Sequence, residues 1–154
     1  MTMIKDNIEL LQKTTLFRGS SREELERILG LFQERRIESN SAIFTENMPA
    51  ESLSIVKNGT VRITMMAGES REHVLLLIGP EEFFGELALV QESNRLVTAR
   101  AETPVELLIL TRKDFQTMID LEPRTAARML VIISKLLAMR VKTCSEKLKE
   151  FLVS

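Results

Sequence analysis

The sequence predicts a mainly β fold, a closed barrel or jelly roll, with helices flanking it at both ends. Three observations carry this expectation: short apolar or β-branched segments recur evenly between residues 35 and 111, turn-forming residues separate them, and helical periodicity is confined to the regions before and after. Strands this short protect their edges by closing the sheet or by stacking a second sheet on it. At 154 residues and 44% hydrophobic content the chain can fill one core, and a single domain over 1–154 is expected. It divides into N-terminal helices (1–33), a β-roll (34–111), and a hinge with a long C-terminal helix (112–154).

Taken in order, residues 4–13 set Ile4, Ile8 and Leu11 at helical spacing and predict a short amphipathic helix, with Leu16 and Phe17 as an apolar anchor before Gly19. "SSREELERILGLF" opens with Ser21 and Glu24 in capping-box spacing and puts Leu25, Ile28, Leu29 and Phe32 on one face, which predicts a second helix. The strand candidates are "RIES", "AIFTE", "LSIV", "TVRITMM", "HVLLLI", "LVTARA" and "VELLIL", with turns at "ESNS", "ENMPAE", "KNG" and "AGES". Thr111 and Asp114 form another capping pattern before "RKDFQTMI", and Pro123 opens a long helix over 124–152.

That last helix is apolar nearly all round in its first half, "ARMLVIISKLLAM", so one side should lie on the barrel while another needs a second cover. Leu137, Val141, Cys144, Leu148 and Phe151 then repeat at 4-3-4-3 spacing, the seam of a two-stranded coiled coil. A plainer reading packs the stripe on its own barrel. Nearly thirty helical residues extend about 40 Å, longer than a small barrel is wide, so a parallel homodimer through this helix is the expectation.

Composition narrows the function. The net charge of -1 gives no strong field towards nucleic acid or anionic lipid, so neither is an expected partner. The N-terminus lacks signal-peptide character, and the apolar runs "VLLLI" and "MLVII" fall short of the roughly 20 residues that span a bilayer. A lone Cys144 forms no internal disulfide and suits a reducing cytoplasm. His73 is the only histidine and reads as a surface residue, the acids are scattered, and no nucleophile has a base beside it. An enzyme, including a metal-dependent cupin-type one, is therefore not expected, and neither is a metal or cofactor.

The informative stretch is residues 84–98, "FGELALVQESNRLVT", which places Glu86 and Arg95 inside an apolar region. Gly85 permits close backbone approach, and a helical turn from Glu86 would point unpaired N–H groups at an anion. The guanidinium of Arg95 can grip two phosphate oxygens, and the Glu86 carboxylate can accept from a hydroxyl. An anion with an adjacent hydroxyl is a ribose phosphate. A plainer reading makes Glu86 and Arg95 a partly buried ion pair that ties the loop to the barrel, with no ligand.

Together with "LFRGSSREELERI", "IFTENMPAESLSIVKNGTVRI", "GPEEFFGELAL" and "NRLVTARAETPVELLIL", this stretch resembles the cyclic nucleotide-binding domain shared by bacterial catabolite activator proteins, protein kinase A regulatory subunits and cyclic nucleotide-gated channels. The resemblance implies an eight-stranded double-stranded β-helix and identifies 84–98 as a phosphate-binding cassette. It implies that Glu86 meets the ribose 2′-hydroxyl and that Arg95 neutralises the cyclic phosphate with the amides of Gly85, Leu87, Ala88 and Leu96. It also implies that Ile63 and Leu75 wall the base, that the C-terminal helix covers the mouth, and that Cys144 and Ser145 stand where catabolite activators place a Thr-Ser pair on adenine.

Departures from the family pattern set further expectations. Leu96 and Val97 replace small residues after the arginine, adding bulk beside the phosphate and the sugar or base, and lowered affinity is expected. Val97 occupies the position where a channel-type Thr favours guanine, so cyclic AMP is expected over cyclic GMP. Asn47, Ala50 and Glu81 fall where the family commonly has turn glycines, and Glu81 predicts a differently shaped turn at "GPEE". No helix-turn-helix segment follows the long helix, so the expectation is a stand-alone sensor acting on an unidentified effector protein; a degenerate, non-binding dimerisation module of the same fold is the alternative.

Overall fold

Local chemistry starts the helices. The computed structural model describes residues 2–68 and 70–153; Glu69, in the turn expected at 67–70, lies outside them. Helix α1 (Thr2–Lys13) buries Ile8, Leu10 and Leu11 but leaves Ile4 outward. Helix α2 (Arg22–Ile28) begins with the expected capping box: Ser21 Oγ accepts from Glu24 N at 3.2 Å and Glu24 Oε1 accepts from Ser21 N at 3.3 Å. It stops at Ile28 and tightens into a 3-10 turn over Leu29–Leu31, where Gly30 weakens a continued helix.

Among the described residues ten strands follow: β1 (Gln33–Ile37), β2 (Ala42–Phe44), β3 (Pro49–Ala50), β4 (Ser52–Asn58), β5 (Val61–Ala67), β6 (Arg71–Ile78), β7 (Phe83–Phe84), β8 (Ser93–Asn94), β9 (Thr98–Ala101) and β10 (Val105–Thr111). Eight of them form two four-stranded antiparallel sheets, in the orders β1-β10-β4-β7 and β2-β9-β5-β6, which is the jelly roll expected. The other two, β3 and β8, pair as a small ribbon beside the cassette. Helix α3 (Leu87–Val90) interrupts the strands; α4 (Arg112–Leu121) and α5 (Pro123–Val153) close the chain. Thr111 caps α4 by accepting from Asp114 N at 3.0 Å.

The first sheet is apolar on both faces for a physical reason. Leu108 and Leu110 of β10, with Leu53 and Ile55 of β4, face the core shared with the helices, while Val105, Leu107 and Val56 face the interior of the roll. Alternate side chains thus enter two different cores. The second sheet differs: its edge strand β6 exposes Val74, Leu75, Leu76 and Leu77 to between 47% and 58%, and His73 beside them is exposed as expected.

The base of α5 is clamped to α2. Thr125 Oγ1 and Arg128 Nη1 both donate to Glu24 Oε2 at 2.7 Å, Arg27 pairs with Glu122, and Ala126, Met129 and Ile133 enter the helical core. Beyond Arg140 the described seam residues face outward: Val141, Cys144, Leu148 and Phe151 are exposed, and Leu137 alone of the seam is half-buried. The "GPEE" turn departs from expectation. Glu81 takes φ 75° as a glycine would, held by Glu81 N to Val56 O and Val56 N to Glu82 O, both at 2.9 Å. Asn47 is left-handed too, whereas Ala50 lies in β3.

Candidate functional site

The cassette is built by close approach. Gly85 follows β7 with φ +80°, and a Cβ there would stand 2.8 Å from Arg95 Nη1 and 3.0 Å from Ser52 O. Only glycine combines that dihedral with that approach. Glu86 stands at the N-cap of α3 without a side-chain cap bond, and Leu87 occupies the first helical position. Ala88 N is already used, donating to Gly85 O at 3.2 Å, so the expected phosphate donor at Ala88 is committed to the turn. Leu96 is 71% exposed at the rim, so its bulk leans into solvent and not onto the anion position, while Val97 is half-buried against the roll core.

Arg95 is the charge at the centre. Its side chain is buried, stacks over Phe44 with the guanidinium carbon 4.0 Å from the ring centroid, and donates from Nη2 to Ser52 O at 2.9 Å. Burial pulls the guanidinium below its ordinary value, with the charge of Glu51 acting the other way. Its Nε is buried without any acceptor among the described residues. A buried donor with no partner is costly, and an entering anion would satisfy it.

Glu86 does not pair with Arg95. It is 3% exposed and forms its ion pair with Arg140 of α5, so the loop-tying pair considered from sequence is absent and a different one stands there. Arg140 was not singled out in the sequence. The signal is its place on one α5 face with Ile132, Leu136 and Met139, spaced at four and three residues, all of which border the same cavity.

That cavity, of about 920 Å³, lies between the cassette, β5–β6 and α5. Its size suits a drug-sized ligand, for which about 300–1,000 Å³ is usual. Ile63, Leu75 and the expected cassette residues all border it, as do Ile132, Leu136, Met139 and Arg140 of α5. Cys144 and Ser145 do not: both are exposed, one turn past Arg140 on the exposed part of α5. Among the described residues no group of three or more His, Cys, Asp or Glu could hold a metal ion, and no helix is long and apolar enough to cross a membrane.

A second arginine braces the cassette from behind. Arg112 Nη1 donates to Ala50 O at 3.0 Å and to Ala88 O at 2.9 Å, joining β3, α3 and the start of α4. Nothing in the local sequence marks this contact.

Comparison with known proteins bears on the whole arrangement. The family description "Cyclic nucleotide-binding domain" matches residues 34–122. The Cyclic AMP receptor protein of Thermus thermophilus is 32% identical over 125 residues, covering 81% of this chain and 58% of that protein. The crystal structure of the Thermus thermophilus Catabolite Activator Protein superposes with TM-score 0.78 at 34% identity, over 87% of this chain and 61% of that one. A structure described as cAMP-bound PfPKA-R (141-441) superposes with TM-score 0.67 at 28% identity, over 75% and 41%. The chain spans little more than half the length of the Thermus relative it matches. With the roll, the cassette glycine and the buried arginine in place, the chain belongs to the cyclic nucleotide-binding domain family.

Proposed function

We propose that the chain is a cyclic nucleotide sensor, with cyclic AMP as its ligand in preference to cyclic GMP, acting without catalysis through a partner protein in the cytoplasm. The observation that carries this reading is Arg95: a buried guanidinium with an unsatisfied Nε, packed against Gly85 at the wall of a large cavity. A cyclic phosphate supplies acceptors for Arg95 and for the Leu87 and Leu96 amides, and a ribose hydroxyl donates to Glu86. Because Glu86 is held by Arg140, sugar binding and the position of α5 contest one carboxylate. A ligand shifts such an element only by binding one of its positions better than the other.

The exposed seam of α5 supports self-association in parallel. In that arrangement Cys144 and Ser145 belong to the second copy's mouth, across the pair. The test is calorimetry and thermal shift with cyclic AMP and cyclic GMP, since a site filled at 100 times its dissociation constant adds about 2.7 kcal/mol of stability. Arg95→Leu abolishes that shift while the protein stays folded, because relief of the guanidinium's desolvation offsets part of the loss of its bond to the Ser52 carbonyl. No shift with either nucleotide in the parent protein would leave the non-binding dimerisation module.

A further inference from the structure

Three consecutive carbonyls lie between two arginines. Ala50 O accepts from Arg112 Nη1 at 3.0 Å, Glu51 O from Arg112 N at 2.8 Å, and Ser52 O from Arg95 Nη2 at 2.9 Å. The Arg112 guanidinium also takes Ala88 O at 2.9 Å and Gln91 O at 3.4 Å, at the C-terminal end of α3, with Glu92 3.9 Å away. Arg112 is the first residue of α4, where a cation faces the positive end of its own helix. Turning the guanidinium onto carbonyls of another segment reverses that disadvantage.

We propose that Arg112 is a positioning residue, tying the cassette and the Ala50–Ser52 carbonyls to the hinge so that occupation of the Arg95 position is transmitted to α4 and α5. The trigger rests on the nucleotide-binding reading above; the mechanical link does not. An anion at Arg95 competes with Ser52 O for Nη2, and once that donor turns away Arg112 is the side chain still bonded to the carbonyl segment, beside the β3–β8 and β4–β10 pairings. Reordering of α3 around the phosphate reaches Arg112 separately, through Ala88 O and Gln91 O. Both routes end on the residue that begins α4, which leads into α5 and back through Arg140 to Glu86. Coupling of this kind requires one element that both ends bias, and here it is the α4–α5 unit.

The test is hydrogen exchange on the full chain, parent against Arg112→Gln, with and without cyclic AMP. Without ligand, the variant should exchange about tenfold faster at 87–91 and 112–115, the effect of losing hydrogen bonds from a charged donor, with β4 and β10 unchanged. With ligand, the parent should change at both the cassette and residues 134–140, and the variant at the cassette alone. Unaltered ligand-free exchange at 87–91, or a full response at 134–140 in the variant, overturns the proposal. If the parent protein binds neither nucleotide, the sensor reading fails while the ligand-free comparison still judges the link. Should Arg112→Gln not fold, Arg112→Lys takes its place: it keeps the charge but loses the planar fork, and should accelerate the same residues by a smaller factor.

Discussion

Replacing Gly85 by alanine tests the cassette geometry, and Gly68 provides an internal control. Both glycines have positive φ, +80° and +73°, so an added Cβ meets the left-handed penalty at each, about 1–2 kcal/mol. They differ in surroundings. At Gly68 no described residue beyond its chain neighbours lies within 4 Å of the new methyl, whereas at Gly85 it stands 2.8 Å from Arg95 Nη1 and 3.0 Å from Ser52 O. The arginine tip can swing aside, but doing so breaks its bond to the Ser52 carbonyl, a charged hydrogen bond contributing about 1.5–3 kcal/mol. Gly85→Ala should therefore destabilise by about 2.5–5 kcal/mol and Gly68→Ala by about 1–2 kcal/mol. Urea unfolding measures the difference, and calorimetry with cyclic AMP should show weakened binding only in Gly85→Ala. Equal losses of stability in the two variants, with nucleotide affinity intact in both, would refute the close-approach argument.

Other outcomes follow from the same geometry. Glu81→Gly should stabilise by about 0.5–1 kcal/mol, the left-handed penalty relieved less the extra freedom of the unfolded chain, as read by urea midpoint. Glu24 is lowered from 4.5 to about 2, chiefly by the Thr125 hydroxyl and further by Arg128. A carboxyl depressed on folding stabilises the protein fully above pH 4.5 and loses that contribution as pH falls towards 2, so Glu24→Gln should flatten the stability–pH curve in that window. Val141→Glu with Leu148→Glu should yield monomers by light scattering without lowering the melting temperature of the roll, because neither side chain enters the core. A dimer that persists would place the self-association surface elsewhere.

Helix starts were legible because a cap is local: Ser21 with Glu24, and Thr111 with Asp114, close their bonds within four residues. Long strands were legible too, since β4 and β10 carry enough residues to show their pattern. Two-residue strands carry no period: β3 falls inside the expected turn "ENMPAE", and β7 and β8 match none of the strand candidates. The cassette motif named residues that border one cavity, but the tertiary partners of that candidate site were illegible. Glu86 finds its counter-ion 54 residues away on α5, and Arg112 reaches Ala50 across 62 residues. The Glu81 turn failed for another reason: propensity disfavours the dihedral, and two backbone hydrogen bonds to β4 impose it.

The aliphatic run on β6 bears on how the protein behaves in a concentrated solution. Val74 to Leu77 lie on an outermost strand, with hydrocarbon on both its faces and no proline to interrupt it, which is the pattern that recruits further chains into stacked sheets. Leu75 and Leu76 reach the cavity, so anything that fills it also shields part of the sticky strip. Colloidal stability is thereby linked to occupancy: an empty preparation should cloud sooner on storage than a loaded one.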